Sequence, residues 1–188
     1  MKVLTLLGSA RKKGNTATVL TLIEKELHTL KNTVERITLH DKTIKGCRGC
    51  LKCLAYPNEI ACVQQDDADE IMQKMLMADV ILFTTPVYFW GFSAQIKTLI
   101  DRSNAFVTQC FKPGHTSLLQ GKRIGLLATG ADSFENNAEG VFTAFDRFTH
   151  FLQAKNTGTL YVGNCLIPSD LPNKTTERAR FLAHSLVS

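Results

Sequence analysis

Residues Val3 to Thr16 read VLTLLGSARKKGNT. The first five, VLTLL, are apolar or β-branched, as in a buried strand, and Gly8-Ser9 ends the run. A polar, basic loop follows. A helical pattern then starts at Asn15: Val19, Leu20, Ile23, Leu27 and Leu30 fall on one face of a helix over Asn15 to Leu30. A strand that turns through Gly-Ser into a helix N-terminus is the opening unit of an α/β fold. Backbone N–H groups and hydroxyls gather at such a turn, which suits a phosphate. The donors are Ser9, Asn15 and Thr16, with Arg11 as charge partner.

The loop is not a Walker A sequence. Its glycines, Gly8 and Gly14, are one residue too far apart, and Asn15 stands where the lysine should be. It is not GxGxxG, and it lacks the cysteine a phosphatase loop would use. A signalling receiver would need acidic residues where this strand ends in Leu6-Leu7-Gly8-Ser9. Read alone, the loop is equally a polar turn closed by an Asn or Thr helix cap.

The same alternation continues outward. Val34 to Leu39 reads as a second strand. Asp66-Asp67 can cap a helix carrying Ile71, Met75 and Leu76. Asp79 to Thr85 (DVILFTT) is a strongly apolar strand stopped by Pro86, and Ser93 caps a helix to Asn104. Arg123 to Thr129 (RIGLLAT) is another buried strand, stopped by Gly130. A helix over Ala138 to Gln153, a strand over Gly158 to Val162 and a helix over Thr175 to Val187 complete the chain. Strands alternating with helices imply βαβ units, and continuous apolar strands imply a parallel sheet covered on both faces. Such a sheet binds ligands at the carboxyl ends of its strands. The loops after Leu7, Thr85 and Thr129 should therefore meet.

The 188 residues suit one domain, 1–188, with ample length for a core. No apolar run is long enough to span a bilayer, and the N-terminus lacks the features of a secretory signal, so a cytoplasmic protein is expected. Net charge is +5. The basic clusters Arg11-Lys12-Lys13 and Lys42, Lys45, Arg48, Lys52 are short, lie in loops and lack interleaved aromatics. Nucleic-acid binding is possible in principle, but ordinary charged loops are the stronger reading, and a phosphate-bearing small ligand would also suit them. The six cysteines should be reduced, which disfavours a disulfide framework.

Thr85-Pro86-Val87-Tyr88-Phe89-Trp90-Gly91-Phe92-Ser93 puts four aromatics within five residues, on a loop at the functional edge. Flat rings and backbone amides suit a planar heterocycle; the same rings would also suit a neighbouring subunit.

Taken together, GSARKKGNT after the first strand and TPVYFWGFSAQIKTLIDR after the third resemble the NAD(P)H-dependent FMN reductases of the flavodoxin-like superfamily. The likeness covers essentially the whole chain. The cysteine segment followed by Asp66-Asp67 resembles the subgroup that includes the iron–sulfur flavoproteins. The resemblance implies a flavodoxin-like three-layer α/β sandwich, with a five-stranded parallel sheet in order 2-1-3-4-5. It implies that Ser9, Arg11, Asn15 and Thr16 hold the FMN phosphate, with Gly14 shaping the turn. Pro86, Val87, Tyr88 and Phe89 would line the isoalloxazine, Thr129 and Gly130 its other side, and Trp90 would cover the flavin or a neighbouring protomer. A homodimer or homotetramer is implied. So is hydride transfer from NAD(P)H to the flavin and on to a quinone, free flavin or other small-molecule electron acceptor. The alternative is an electron carrier without direct nicotinamide use, against which the basic charge counts.

No acid–base pair is named. His40 and His115 lie in loops from which they could approach a substrate, and Asp101-Arg102 reads as a helix-end ion pair. Cys47, Cys50, Cys53 and Cys62 form C-x2-C-x2-C-x8-C. Four thiolates suit a [4Fe–4S] cluster or tetrahedral zinc; reduced thiols packing a loop are the third reading. The iron–sulfur flavoproteins have a shorter final gap than the eight residues between Cys53 and Cys62. The metal-free loop is therefore the expectation, with the four kept as candidate iron–sulfur ligands. Cys110 and Cys165 read as core thiols.

Overall fold

The computed structural model describes residues 1–56, 58–110 and 112–188. Five parallel strands form the main sheet: β1 (Lys2–Leu7), β2 (Thr33–Thr38), β3 (Val80–Pro86), β6 (Arg123–Thr129) and β7 (Lys155–Val162). Their order is β2-β1-β3-β6-β7, the flavodoxin-like 2-1-3-4-5 arrangement. Helices α1 (Asn15–Thr29), α2 (Ala68–Met77), α3 (Ala94–Arg102), α4 (Glu139–Phe151) and α5 (Thr175–Val187) connect or follow them. A short antiparallel hairpin, β4 (Val107–Thr108) with β5 (Thr116–Ser117), lies between α3 and β6.

Successive strand residues face opposite sides of the sheet, so one apolar run feeds two cores. Val3, Leu7, Val80, Leu82, Leu127 and Val162 pack under α1 and α5. Leu4, Leu6, Ile81, Phe83, Ile124 and Leu126 pack under α2, α3 and α4. There the Phe83 ring meets Phe145 and Phe148 edge-on, with centroids 6.2 and 5.6 Å apart, which seats α4 on the central strand.

The differences from expectation are local. Strand β3 includes Pro86, which pairs with Thr129 in the adjacent strand. The last strand begins at Lys155 rather than Gly158; its first half is a polar, exposed edge with a register shift, so it carries no apolar signal. Helix α3 ends at Arg102 and tightens into a 3-10 turn over Ser103–Phe106.

Candidate functional site

Strands β1, β3 and β6 are neighbours and end on one edge, so the three loops converge as expected. The Gly8 N–H donates to the Thr84 carbonyl at 2.8 Å, and Val87 N–H to Thr129 O at 2.7 Å. Gly8 is required here: a Cβ would lie 2.3 Å from the Ile96 side chain.

In the first loop, Ser9, Asn15 and Thr16 are buried and Arg11 is exposed. Arg11 N–H donates to Ser9 Oγ at 3.2 Å and Gly14 N–H to Arg11 O at 3.1 Å, closing a tight turn. Gly14 stands at the α1 N-cap; among the described residues no side chain caps it, and the first turn holds no carboxylate. The positive helix end is thus left open to an anion. The Thr16 and Thr129 hydroxyls meet at 2.7 Å, locking this turn to the third loop.

The second loop is a tight reversal. Tyr88 and Gly91 exchange both backbone hydrogen bonds, at 3.1 and 3.0 Å, and the turn between them holds Phe89 at φ +45° and Trp90 at φ +61°. Two-residue turns of this kind normally take Asn-Gly. Bulky rings there carry backbone strain, and strain of that kind collects at functional sites. Phe89 is 93% exposed and Trp90 64%, so the rings stand out as a ledge rather than entering the core. Trp90 Nε1 donates to Asn136 O at 3.1 Å, tying the ledge to the third loop.

The third loop is organised by Tyr161. Its hydroxyl donates to Asp132 O at 2.7 Å and accepts from Asn137 Nδ2 at 2.7 Å. Burial pushes the Tyr161 phenol up, against the opposing effect of Asn137. A Cβ on Gly130 would lie 2.4 Å from that hydroxyl. The Glu139 carboxylate, at the start of α4, accepts from its own N–H and from those of Asn136 and Asn137, which holds it below its ordinary value.

A fourth loop, after β7, joins the site and was not read from the sequence. Asn15 Nδ2 donates to Cys165 O at 2.9 Å, and Arg11 Nη1 to Leu166 O at 3.4 Å. Asn15 Oδ1 is buried with no partner among the described residues. The edge rule alone could have named this loop, since β7 ends beside β6.

The histidines separate. His40 sits in a one-turn helix after β2, at the functional edge, facing a cavity of about 240 Å³ with Lys42, Gln95 and Thr98. His115 does not approach the site: its Nε2 lies 2.8 Å from Phe151 O, and Gln153 donates to its carbonyl, both beside the α4 terminus that leads into the start of β7. Asp101 and Arg102 end α3 but pair in different directions: Arg102 is buried and bonds Asp66, while Asp101 pairs with Lys97. Of the two acidic cap candidates, Asp66 caps Ala68 N–H at 3.0 Å; Asp67 instead accepts from Thr43 N–H at 2.7 Å.

All six cysteines are free thiols. Cys47, Cys50, Cys53 and Cys62 line one cavity of about 40 Å³ with Arg102 and Asn104. Among the described residues no three His, Cys, Asp or Glu side chains surround a common metal position. By residue type the four thiols are the ligands an iron–sulfur group takes, but among the described residues they are not gathered around one position. Cys165 is a core thiol, pushed up by burial. Cys110 is only half-buried: its Sγ lies 3.9 Å from Asn104 Oδ1, while the same amide donates to Cys53 Sγ at 3.5 Å.

An open parallel sheet with an anion-ready first turn and an aromatic ledge at its carboxyl edge defines a flavodoxin-like domain. The sequence matches the NADPH-dependent FMN reductase family over residues 1–162, and the chain belongs to that family. It is 37% identical over 131 residues to an iron-sulfur flavoprotein of Archaeoglobus fulgidus, covering 70% of this chain and 55% of that one. It is 42% identical over 106 residues to an iron-sulfur flavoprotein of Methanocaldococcus jannaschii, covering 55% and 52%. The chain therefore spans about half the length of these relatives. Among solved structures it resembles an azoreductase from Bacillus anthracis (TM-score 0.75, 16% identity, covering 97% and 98%). It also resembles an NAD(P)H:quinone oxidoreductase from Methanothermobacter marburgensis (TM-score 0.69, 16% identity, covering 97% and 95%). These two likenesses concern the fold. Among the described residues no helix is long and apolar enough to cross a membrane.

Proposed function

We propose that the chain binds FMN at the carboxyl edge of the sheet and passes electrons from NAD(P)H to a small acceptor such as a quinone or free flavin. The observation that carries this reading is the Thr16–Thr129 contact, which sets an uncapped helix start against the loop beside the aromatic ledge. The residues fit the cofactor. Ser9, Arg11, Asn15 and Thr16 would hold its phosphate on the turn that Gly14 shapes, and the orphaned Asn15 Oδ1 suits a ribityl hydroxyl. Pro86, Val87, Tyr88 and Phe89 would line one side of the ring, Thr129 and Gly130 the other. When bound, FMN supplies hydride acceptance and electron transfer. The chain's part is to orient the ring, keep its edge open to nicotinamide and acceptor, and hold the phosphate without a competing carboxylate.

The exposed Tyr88, Phe89 and Trp90 support a homodimer or homotetramer in which a second subunit covers the ledge. Free thiols suit a reducing compartment, which supports a cytoplasmic location. Anaerobic mixing of the FMN-loaded protein with NADH and NADPH tests the activity. Rapid bleaching of the flavin is expected; bleaching only through a ferredoxin-like protein donor would make the protein an electron carrier.

A second reading, an iron–sulfur flavoprotein, is favoured by the four cysteines on one cavity and by the names of the relatives. Cys47, Cys50, Cys53 and Cys62 would hold the cluster, which supplies one-electron transfer. Iron analysis of anaerobically purified wild type and Cys62→Ser tests it; an iron content that all four cysteine replacements leave unchanged would remove it.

A further inference from the structure

The cysteine segment leaves the body of the fold at Lys45 and returns at Gln64, and one side chain holds both points. Arg102, the last residue of α3, has a side chain 1% exposed. Its Nη1 donates to Lys45 O at 3.0 Å and to Asp66 Oδ2 at 2.8 Å, and its Nη2 donates to Gln64 O at 3.3 Å. Asp66, equally buried, also accepts from Lys45 N–H at 2.9 Å. Gln64 Nε2 reaches Gly46 O at 3.1 Å. A forked cation and its carboxylate thus close the neck of the loop that carries all four candidate thiols. Arg102 lines their cavity, and its Nε is buried without a partner among the described residues. Two residues on, Asn104 reaches Cys53.

A buried ion pair is a poor way to gain stability, because desolvation costs about as much as the attraction returns. Its placement here answers a geometric need: the loop has little apolar surface of its own to fix it. We propose that Arg102 is the positioning residue of the thiol site, its fork holding the two limbs together so that Cys53 and Cys62 stay at the shared cavity. Lysine could keep the charge and the Asp66 contact but could not span both limbs.

The test compares wild type, Arg102→Lys and Arg102→Met as full chains, by maleimide labelling read cysteine by cysteine with mass spectrometry. In both variants Cys53 and Cys62 should label about tenfold faster, as expected for a loop that opens locally, while FMN affinity and the labelling of Cys165 stay within about twofold. Wild-type protection of Cys62 in Arg102→Lys would show that charge suffices and would overturn the proposal, as would unchanged labelling in both variants. If Arg102→Met fails to bind FMN through global misfolding, Arg102→Lys decides alone. A second arm rests on the iron–sulfur reading above: after anaerobic reconstitution with ferrous iron and sulfide, the variants should retain several-fold less iron than wild type. Equal iron in all three overturns the proposal. A wild type that takes up no iron instead overturns the cluster reading, and the labelling result then stands by itself.

Discussion

The hydroxyls of Thr16 and Thr129, 113 positions apart in the sequence, lie 2.7 Å from each other in the buried seam between the first turn of α1 and the end of β6. Each is the other's partner, so truncating one strands the other. Thr129→Val or Thr16→Val should each cost about 1–3 kcal/mol. For a chain of this length that is a fall in Tm of about 2–4 °C per kcal/mol. The double variant should cost less than the sum, because no unpaired hydroxyl is left. Thermal unfolding of the four proteins checks this; strict additivity would show the contact to be incidental.

Phe89 sits at φ +45°, where a bulky side chain is strained by roughly 1–2 kcal/mol and glycine is not. Phe89→Gly should raise the Tm of the FMN-free protein, because the exposed ring adds nothing to the core, and should weaken FMN binding if the ring lines the cofactor as proposed. A variant that loses both stability and affinity would make Phe89 a structural residue instead.

Gly130→Ala should be disruptive, since its methyl would lie 2.4 Å from the Tyr161 hydroxyl that anchors Asp132 and Asn137. A loss of about 1–3 kcal/mol is expected from the overpacking. Adding Tyr161→Phe should recover part of it by removing the clashing oxygen. Calorimetry on the single and double variants gives the answer; no recovery would mean that the backbone, not the hydroxyl, sets the requirement.

The Arg102 clamp should also respond to acid. Burial pushes the Asp66 carboxyl up, but the Arg102 guanidinium and the N–H groups of Lys45 and Ala68 more than offset this and hold it below its ordinary value of 3.8. A depressed folded value means that the stabilisation is complete above the unfolded value and lost as pH falls through the folded one. The neck should therefore stay closed from neutral pH to about pH 4 and open below it. Amide-exchange protection at Lys45 and Ala68, corrected for intrinsic rates, follows this directly. Opening nearer neutrality would mean that another group controls the loop.

Much of this was legible in the sequence because it is written in apolar runs and breaker residues. VLTLL, DVILFTT and RIGLLAT are buried on both faces of a parallel sheet, so they read as strands without alternation. Their shared carboxyl edge then placed Ser9, Thr16, Pro86 and Thr129 near one another, while the strand order followed from the family resemblance. What stayed hidden depends on long-range packing. The polar first half of β7 lies on a solvent edge and looks like loop. Asp101-Arg102 reads as a helix-end ion pair until the fold brings Asp66, Lys45 and Gln64 around Arg102. The Cys165–Leu166 turn has no motif; only its contacts with Asn15 and Arg11 reveal it.

If the first and second loops together bind FMN, titration of the apo protein followed by flavin fluorescence will show it. Quenching should saturate at one FMN per chain, and Ser9→Ala with Thr16→Val should weaken binding by about tenfold or more, as expected for lost bonds to a charged phosphate. Flavin fluorescence that stays unquenched at protein concentrations well above micromolar, with the fold intact by circular dichroism, would contradict it.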